Sequence, residues 1–404
     1  MIVAGHERLI VGKPGGKRAS LRMVDLSGAD LSGRDLSDAD LSGSVLDGAK
    51  LVAANLTRAN LFGSDLRNAD LRRAVLVRAD LRGVCLRGAN VAEADLTQAD
   101  FRVGQIAVPH PSKGLASLRR ENRMGDFDQA NFTGATLDGS ELDGVSAFAA
   151  DFSDCSLKGA KLTRANLKDA NLSGALLEGA DVAGANLEGA NLAGCDLTGV
   201  DVAALRSAHA TLSGALQAPS EAVVARADEL YAMASAHQAW CQSGGKTGAP
   251  AQFDNEDLRP LAGRLKGFRL TALSARGACM VGMDLEGVQL QGAHLDGADL
   301  RGASLHEADL RGARLGAVNL TKADLIGIIL GPLPLGADRI APANLTSARL
   351  RYARAQRADF TAAILDAADL HGCDVTGARM KGASLKGAEL STVIGLELAR
   401  QTSA

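Results

Sequence analysis

Two knots of arginine are the residues whose type and spacing could do chemistry. Arg119, Arg120 and Arg123 fall within five positions, and Arg349, Arg351, Arg354 and Arg357 surround Tyr352. The four arginines beside one tyrosine could touch phosphate. The plainer reading is a solvated basic face. Opposite charge gathers at Asp138, Glu141 and Asp143. These ten residues are the candidate partner-binding set. Other chemistry finds little support. Gly245-Lys246-Thr247 resembles the end of a phosphate-binding loop, but the glycine required five positions earlier is Trp240, and a helical pattern precedes it where a strand is needed. The six cysteines form no CxxC pair, and the seven histidines show no ligand spacing along a helix. No nucleophile stands beside a base. Catalytic residues, a metal site and a bound cofactor are therefore not expected, and the chain is read as not an enzyme.

The elements that must carry these residues have an unusual period. In "ADLSGRDLSDADLSG" (29–43), Leu31, Leu36 and Leu41 recur every fifth residue. A period of five matches neither a helix nor a flat strand. Calling the large apolar residue i, the register runs from Leu21 to Phe101 in seventeen fives, from Phe127 to Leu212 in eighteen, and from Leu265 to Leu390 in twenty-six. Position i−2 is small (Ala29, Ala165, Cys195, Cys373), i−1 is often Asp or Asn, and i+2 is often Gly. A large and a small residue thus face inward as a pair, and the other three positions face water or turn the chain. Aromatics are only 3% of residues, which fits an interior filled by one or two small shapes used repeatedly. Five N-x-[ST] sequences, at Asn55, Asn131, Asn171, Asn319 and Asn344, are simply i−1 to i+1 of a repeat.

This A-[DN]-L-x-G pattern resembles the pentapeptide repeat family. The resemblance implies an all-β solenoid, a right-handed quadrilateral parallel β-helix with four fives per coil and coils about 4.8 Å apart, here in two or three stacks. Residues 20 apart would then lie one above another on a side of the square. End coils need caps.

The register predicts an N-terminal cap or irregular segment (1–20), a first array (21–103), a projecting loop or short helix (104–126), a second array (127–214), a helix and linker (215–264), a third array (265–391) and a C-terminal tail or cap (392–404). Val223, Ala227, Leu230, Ala234, His237 and Cys241 share helical spacing, with Ser220 as N-cap and Gly244 and Gly245 ending the helix. One helix should cover a solenoid end or join two arrays, with His237 and Trp240 as packing residues; an "HxxW…SGG" exit into an array resembles the layout of bacterial family members. The proline-rich Gly331–Leu345 keeps the count of five through Leu335 and Ile340, so a local distortion of one coil is expected. Cys155, Cys195 and Cys373 should be buried, whereas Cys85 and Cys279 stand at i−1 and could be exposed.

Net charge is −3 overall, but −7 over 127–214, −1 over 21–103 and +2 over 265–391. The chain shows no apolar run long enough for a membrane span and no signal-peptide pattern near its first residues, so a cytoplasmic, bacterial-type setting without membrane contact is expected. The leading functional expectation is a non-enzymatic scaffold that binds a protein partner, as yet unidentified, through flat solenoid faces. The alternative is implied by the resemblance: a DNA-mimicking modulator of type II DNA topoisomerase (DNA gyrase), as in the quinolone-resistance branch. Against it stand the chain's greater length and its alternation of acidic and basic faces. Direct nucleic-acid binding is not expected. The tail leaves homodimerisation open.

Overall fold

The structure is a computed structural model. It describes residues 2–110, 114–201, 209–336 and 339–396, with the side chains of 106–120 outside the description. The chain forms two compact units, Met1–Ala218 and Pro219–Ala404.

Parallel bridges between residues 20 apart (Asp30↔Lys50↔Asp70, Asp299↔Asn319) define the coils of both units. The hydrogen bonds of one five account for its sequence. Leu31 N–H donates to Lys50 O of the next coil and Gly33 N–H to Val52 O. Lys50 N–H, at i−1, donates back to Ala29 O, and Ala39 N–H, at i−2, closes a turn on Leu36 O. That leaves the N–H of i+1. The Asp or Asn at i−1 takes it: Ser32 N–H donates to Asp30 Oδ1 and Thr57 N–H to Asn55 Oδ1. The preference for Asp and Asn is therefore backbone satisfaction, since an orphaned amide is costly. Asn55, Asn131, Asn171, Asn319 and Asn344 all do this work. Position i+2 turns the corner at positive φ, near 64° at Gly33 and 59° at Asp38, which explains its glycines.

Inside, the leucines and their alanine-sized partners are sealed: Leu56, Ala59 and Leu61 are fully buried, as are Leu305 and Ala303. Phe127, Phe132 and Phe152 pack ring on ring within the first unit. Cys155, Cys195 and Cys373 are buried at i−2, and Cys85 is buried too, against the expectation of exposure, because Asp126 of the next coil stands over it.

Several boundaries differ from the sequence reading. The first and second arrays are one solenoid: Cys85 bridges Asp126 and Asp100 bridges Glu141, so the coil closes across the insertion. The insertion is neither loop nor helix but an antiparallel hairpin, β1 (Gly104–His110) and β2 (Gly114–Arg123). The third array begins before 265. Gln252 bridges Ser274 and Asp257 bridges Cys279, with Phe253 and Leu258 in the core; a 3-10 turn at Arg259–Leu261 adds two residues and hides the register. Leu335 and Ile340, counted as inward, are exposed. The bridge offset there rises from 20 to 30 (Asp309↔Ile329, then Arg314↔Asn344), so two fives' worth of chain is looped out, and a short hairpin, β3 (Leu333–Pro334) with β4 (Ile340–Ala341), fills it. At the C-terminal end the bridges continue to Ile394; residues 397–404 of the expected tail lie outside the described residues.

Each unit opens with a helix. The first is α1 (Ile2–Ile10), inside the segment 1–20 that the register marks only as a cap or irregular. The second is split in two: α2 (Glu221–Ala225), capped by Ser220, and α3 (Ala227–Ser243), ended by Gly244 at φ 63°. The break falls at Arg226. Leu230 and Ala234 of α3 join the second core, so α3 closes the open first coil of its own unit.

Candidate functional site

The sides of each solenoid are rows of i−1, i+1 and i+2 side chains held one coil apart, and most of their charge is spent within the protein. Where Arg follows at i+1, it folds back on the Asp at i−1: Arg67 on Asp65 (2.5 Å), Arg72 on Asp70, Arg301 on Asp299 and Arg311 on Asp309. The guanidinium and the backbone amide together hold Asp70 below the usual carboxylate range, and the side-chain bonds of Arg276 and Ser274 lower Asp254 to about 2.

Asp138, Glu141, Asp143, Arg351 and Arg354 of the expected site residues behave the same way. Asp138 accepts from Ser156 Oγ at 2.5 Å and Lys158 N–H at 3.0 Å, both in the next coil, and so stands in for a missing i−1 carboxylate. Glu141 pairs with Lys161 at 2.8 Å and Asp143 with Arg164 at 2.5 Å. Asp138 lies on one side, with Glu141 and Asp143 on the next. Arg349 and Arg351 flank Leu350, while Arg354 and Arg357 flank Ala355 on the adjacent side, so the four arginines split into two pairs. Arg351 lies 3.6 Å from Asp369 and its guanidinium 5.6 Å from the Tyr352 ring; Arg354 lies 3.5 Å from Asp324. Arg123 Nη1 donates to Gly63 O at 3.4 Å, tying the hairpin back to the coil. Arg119 and Arg120 face Val108 and Ala107 across the hairpin ladder, and their side chains lie outside the described residues.

Burial pushes the thiols of Cys85, Cys241, Cys279 and Cys373 up, away from reactivity. Among the described residues no cluster of three His, Cys, Asp or Glu could hold a metal ion, and no helix is long and apolar enough to cross a membrane.

The pentapeptide repeat model matches 25–102, 126–202, 284–330 and 343–393, well over half the chain. The chain belongs to the pentapeptide repeat family. Its solenoid is the family's right-handed β-helix. Solved structures similar to it include three pentapeptide repeat proteins. One is from the Arabidopsis thaliana thylakoid lumen (26% identity over 33% of this chain and 79% of that one, TM-score 0.23). Another is HetL, involved in heterocyst differentiation regulation in the cyanobacterium Nostoc (20%, over 96% and 94%, TM-score 0.15). The third is QnrB1, a plasmid-mediated fluoroquinolone resistance protein (21%, over 51% and 89%, TM-score 0.21). No curated protein matches the chain.

Within this family member, sequence reasoning missed two features. The first is the role of His6. It sits on the first solenoid as His237 sits on the second: His6 Nδ1 accepts Ala19 N–H at 3.1 Å and Nε2 donates to Ser37 O at 2.8 Å, while His237 accepts Ala251 N–H at 2.9 Å and donates to Thr271 O at 3.0 Å. Ala19 and Ala251 are both i−2 of the first five. Each ring replaces a coil that is not there, satisfying an amide and a carbonyl at the solenoid's edge. A signal was present: a histidine followed by Gly-Gly-Lys (Gly15–Lys17 and Gly244, Gly245, Lys246) shortly before each array. The second is a groove in the second unit of about 630 Å³, bordered by Trp240 of α3, Leu333 of β3 and the row Arg269, Gln289 and Gln291. No motif announces it, because its parts are far apart in sequence.

Proposed function

We propose that this protein is a non-enzymatic scaffold that binds a protein partner through the sides of its solenoids. The observation that carries the reading is the fixed spacing of surface side chains: each row is locked by inter-coil backbone bonds and by side-chain staples such as Asn171–Asn191 and Arg58–Asp38. A surface already ordered before contact loses little entropy on binding. The test is to capture the partner, reconstitute the complex from pure components, and map amide hydrogen exchange. Protection recurring at 20-residue intervals along one side supports the scaffold. Absent or scattered protection in a stoichiometric complex counts against it.

A second reading, a DNA-mimicking modulator of DNA gyrase, is favoured by the −7 charge of 127–214. Its weakness is internal neutralisation: Lys158, Lys161, Arg164 and Lys168 pair with Glu178, Glu141, Asp143 and Glu188. A supercoiling assay with purified gyrase decides it. Inhibition, or relief of quinolone poisoning, supports the mimic, and no effect at micromolar protein rejects it.

A further inference from the structure

The groove of the second unit lies where two departures from the repeat meet on one side of the solenoid. The C-terminal end of α3 lies over the first coils: Gln238 Oε1 accepts Arg269 N–H at 3.0 Å and Cys241 Sγ approaches Thr271 O. The β3–β4 hairpin folds back over Gly292 and Gly312, where Leu333 would meet any added Cβ at 3.6 and 2.6 Å. Between them the floor is made of the i−1 and i+1 residues of coils stacked by the bridges Arg269↔Gln289↔Asp309. In repeat proteins, insertions on one face commonly frame the binding face.

The chemistry of the groove is specific. Arg311 is neutralised by Asp309 at 2.7 Å. Arg269 is exposed, its Nε donates to Gln289 Oε1 at 3.0 Å, and no carboxylate lies within ion-pair distance of it among the described residues. Trp240, half-buried against His237 at 5.6 Å between ring centres, and Leu333 supply apolar surface at the two ends. One uncompensated cation is too little for a polyanion such as nucleic acid, which needs many phosphate contacts. An open trough between an exposed arginine and an aromatic ring does fit a protein segment, whose binding energy concentrates at Trp and Arg anchors.

We propose that this groove binds a short segment of a partner protein in which a carboxylate side chain lies beside a large apolar one: Arg269 takes the carboxylate, Trp240 and Leu333 the apolar group, and the Gln289 amide the peptide backbone, while Gln291 is held in the floor by Asp309 at 2.7 Å and Thr271 at 3.0 Å. This rests on the scaffold reading above and gives it a place and a partner chemistry.

Trp240 is the only tryptophan in the chain, so its fluorescence reports on the groove directly. The full chain is titrated with three pools of acetylated heptapeptides: acidic with leucine, the same with every acid replaced by lysine, and acidic with alanine for leucine. The expected result is a saturable change in Trp240 emission with the first pool only, weakened at least tenfold by Arg269→Glu and unaffected by Lys381→Glu elsewhere on the solenoid. An unchanged thermal melt shows that Arg269→Glu is folded. No saturable change with any pool, an equal response to the lysine pool, or full binding by Arg269→Glu overturns the proposal. If a reconstituted partner complex protects another side while Trp240 emission is unchanged, the groove assignment falls and the scaffold reading stands.

Discussion

His237 Nδ1 accepts the Ala251 amide hydrogen at 2.9 Å, and this bond defines the state of the ring. A nitrogen that accepts cannot carry a proton, and the other, Nε2, donates to Thr271 O, so the imidazole is neutral in the folded protein. Burial lowers its pKa below the ordinary value. The unfolded chain therefore binds a proton more readily than the folded one. Stability is full above the unfolded value, about 6.5, and declines as pH falls from there towards the lowered folded value. His237→Ala should remove both bonds, cost about 2–4 kcal/mol from two stranded edge groups, and flatten the decline in this window. Chemical denaturation of the full chain at pH 7.5 and pH 5.5, read by the emission of Trp240, checks both.

The interior makes a steric prediction. Ala303 is fully buried at i−2 beside Leu305. Its size lets the wall draw in around the leucine column, so Ala303→Leu should overpack the coil and cost about 1–3 kcal/mol. Leu305→Ala, the opposite error, should leave a cavity and cost about 2–5 kcal/mol. Restoring the volume by combining the two swaps recovers part of the loss if the pair shares one space. Urea midpoints of the two single variants and the double variant give the coupling.

The backbone accounting makes another. Asn171 Oδ1 accepts Ser173 N–H and the amide of Asn191, and its own amide donates to Asp151 Oδ1. Asn171→Ala leaves one backbone amide without its acceptor and breaks a three-coil ladder, for an expected loss of about 1–3 kcal/mol. Asn171→Asp keeps the acceptor for Ser173 but places like charge beside Asp151, so it should fall between wild type and alanine, and its gap to wild type should narrow as salt screens the repulsion. Thermal melts of both variants at low and high salt test the order.

What was legible in the sequence follows from which contacts are local. The turn at Gly33, the Asx bond at Asn55 and the inward Leu–Ala pair all form within one five, so the repeat displays them directly. The 20-residue stacking follows from four such sides. The junctions were harder to read. Asp126 stacks on Cys85 across a hairpin whose one-position shift made one solenoid look like two arrays. The 3-10 turn at Arg259–Leu261 concealed the fives at Phe253 and Leu258. Charge density marks the ten candidate site residues but does not reveal that Asp138, Glu141 and Asp143 are bonded to the following coil. Arg269 follows Arg264 and Lys266 closely in sequence, and only the approach of α3 and β3 sets it apart from them.

The excursion at Leu333–Ala341 gives the sharpest test of the register. Its length leaves the count of five undisturbed, which is why Leu335 and Ile340 resembled inward residues while being exposed. If the coil truly closes from Leu330 to Leu345 through the bridge Arg314↔Asn344, the chain between is dispensable for folding. Replacing residues 332–342 with one glycine restores a single five-residue step and supplies the positive φ that the corner requires. The variant should melt within a few degrees of the parent, since a surface excursion contributes little to the core. It should also lose the Leu333 border of the groove and bind the acidic leucine peptides more weakly. A cooperative melt far below the parent would mean that Leu335 and Ile340 belong inside after all, and that the offset of 30 is wrong.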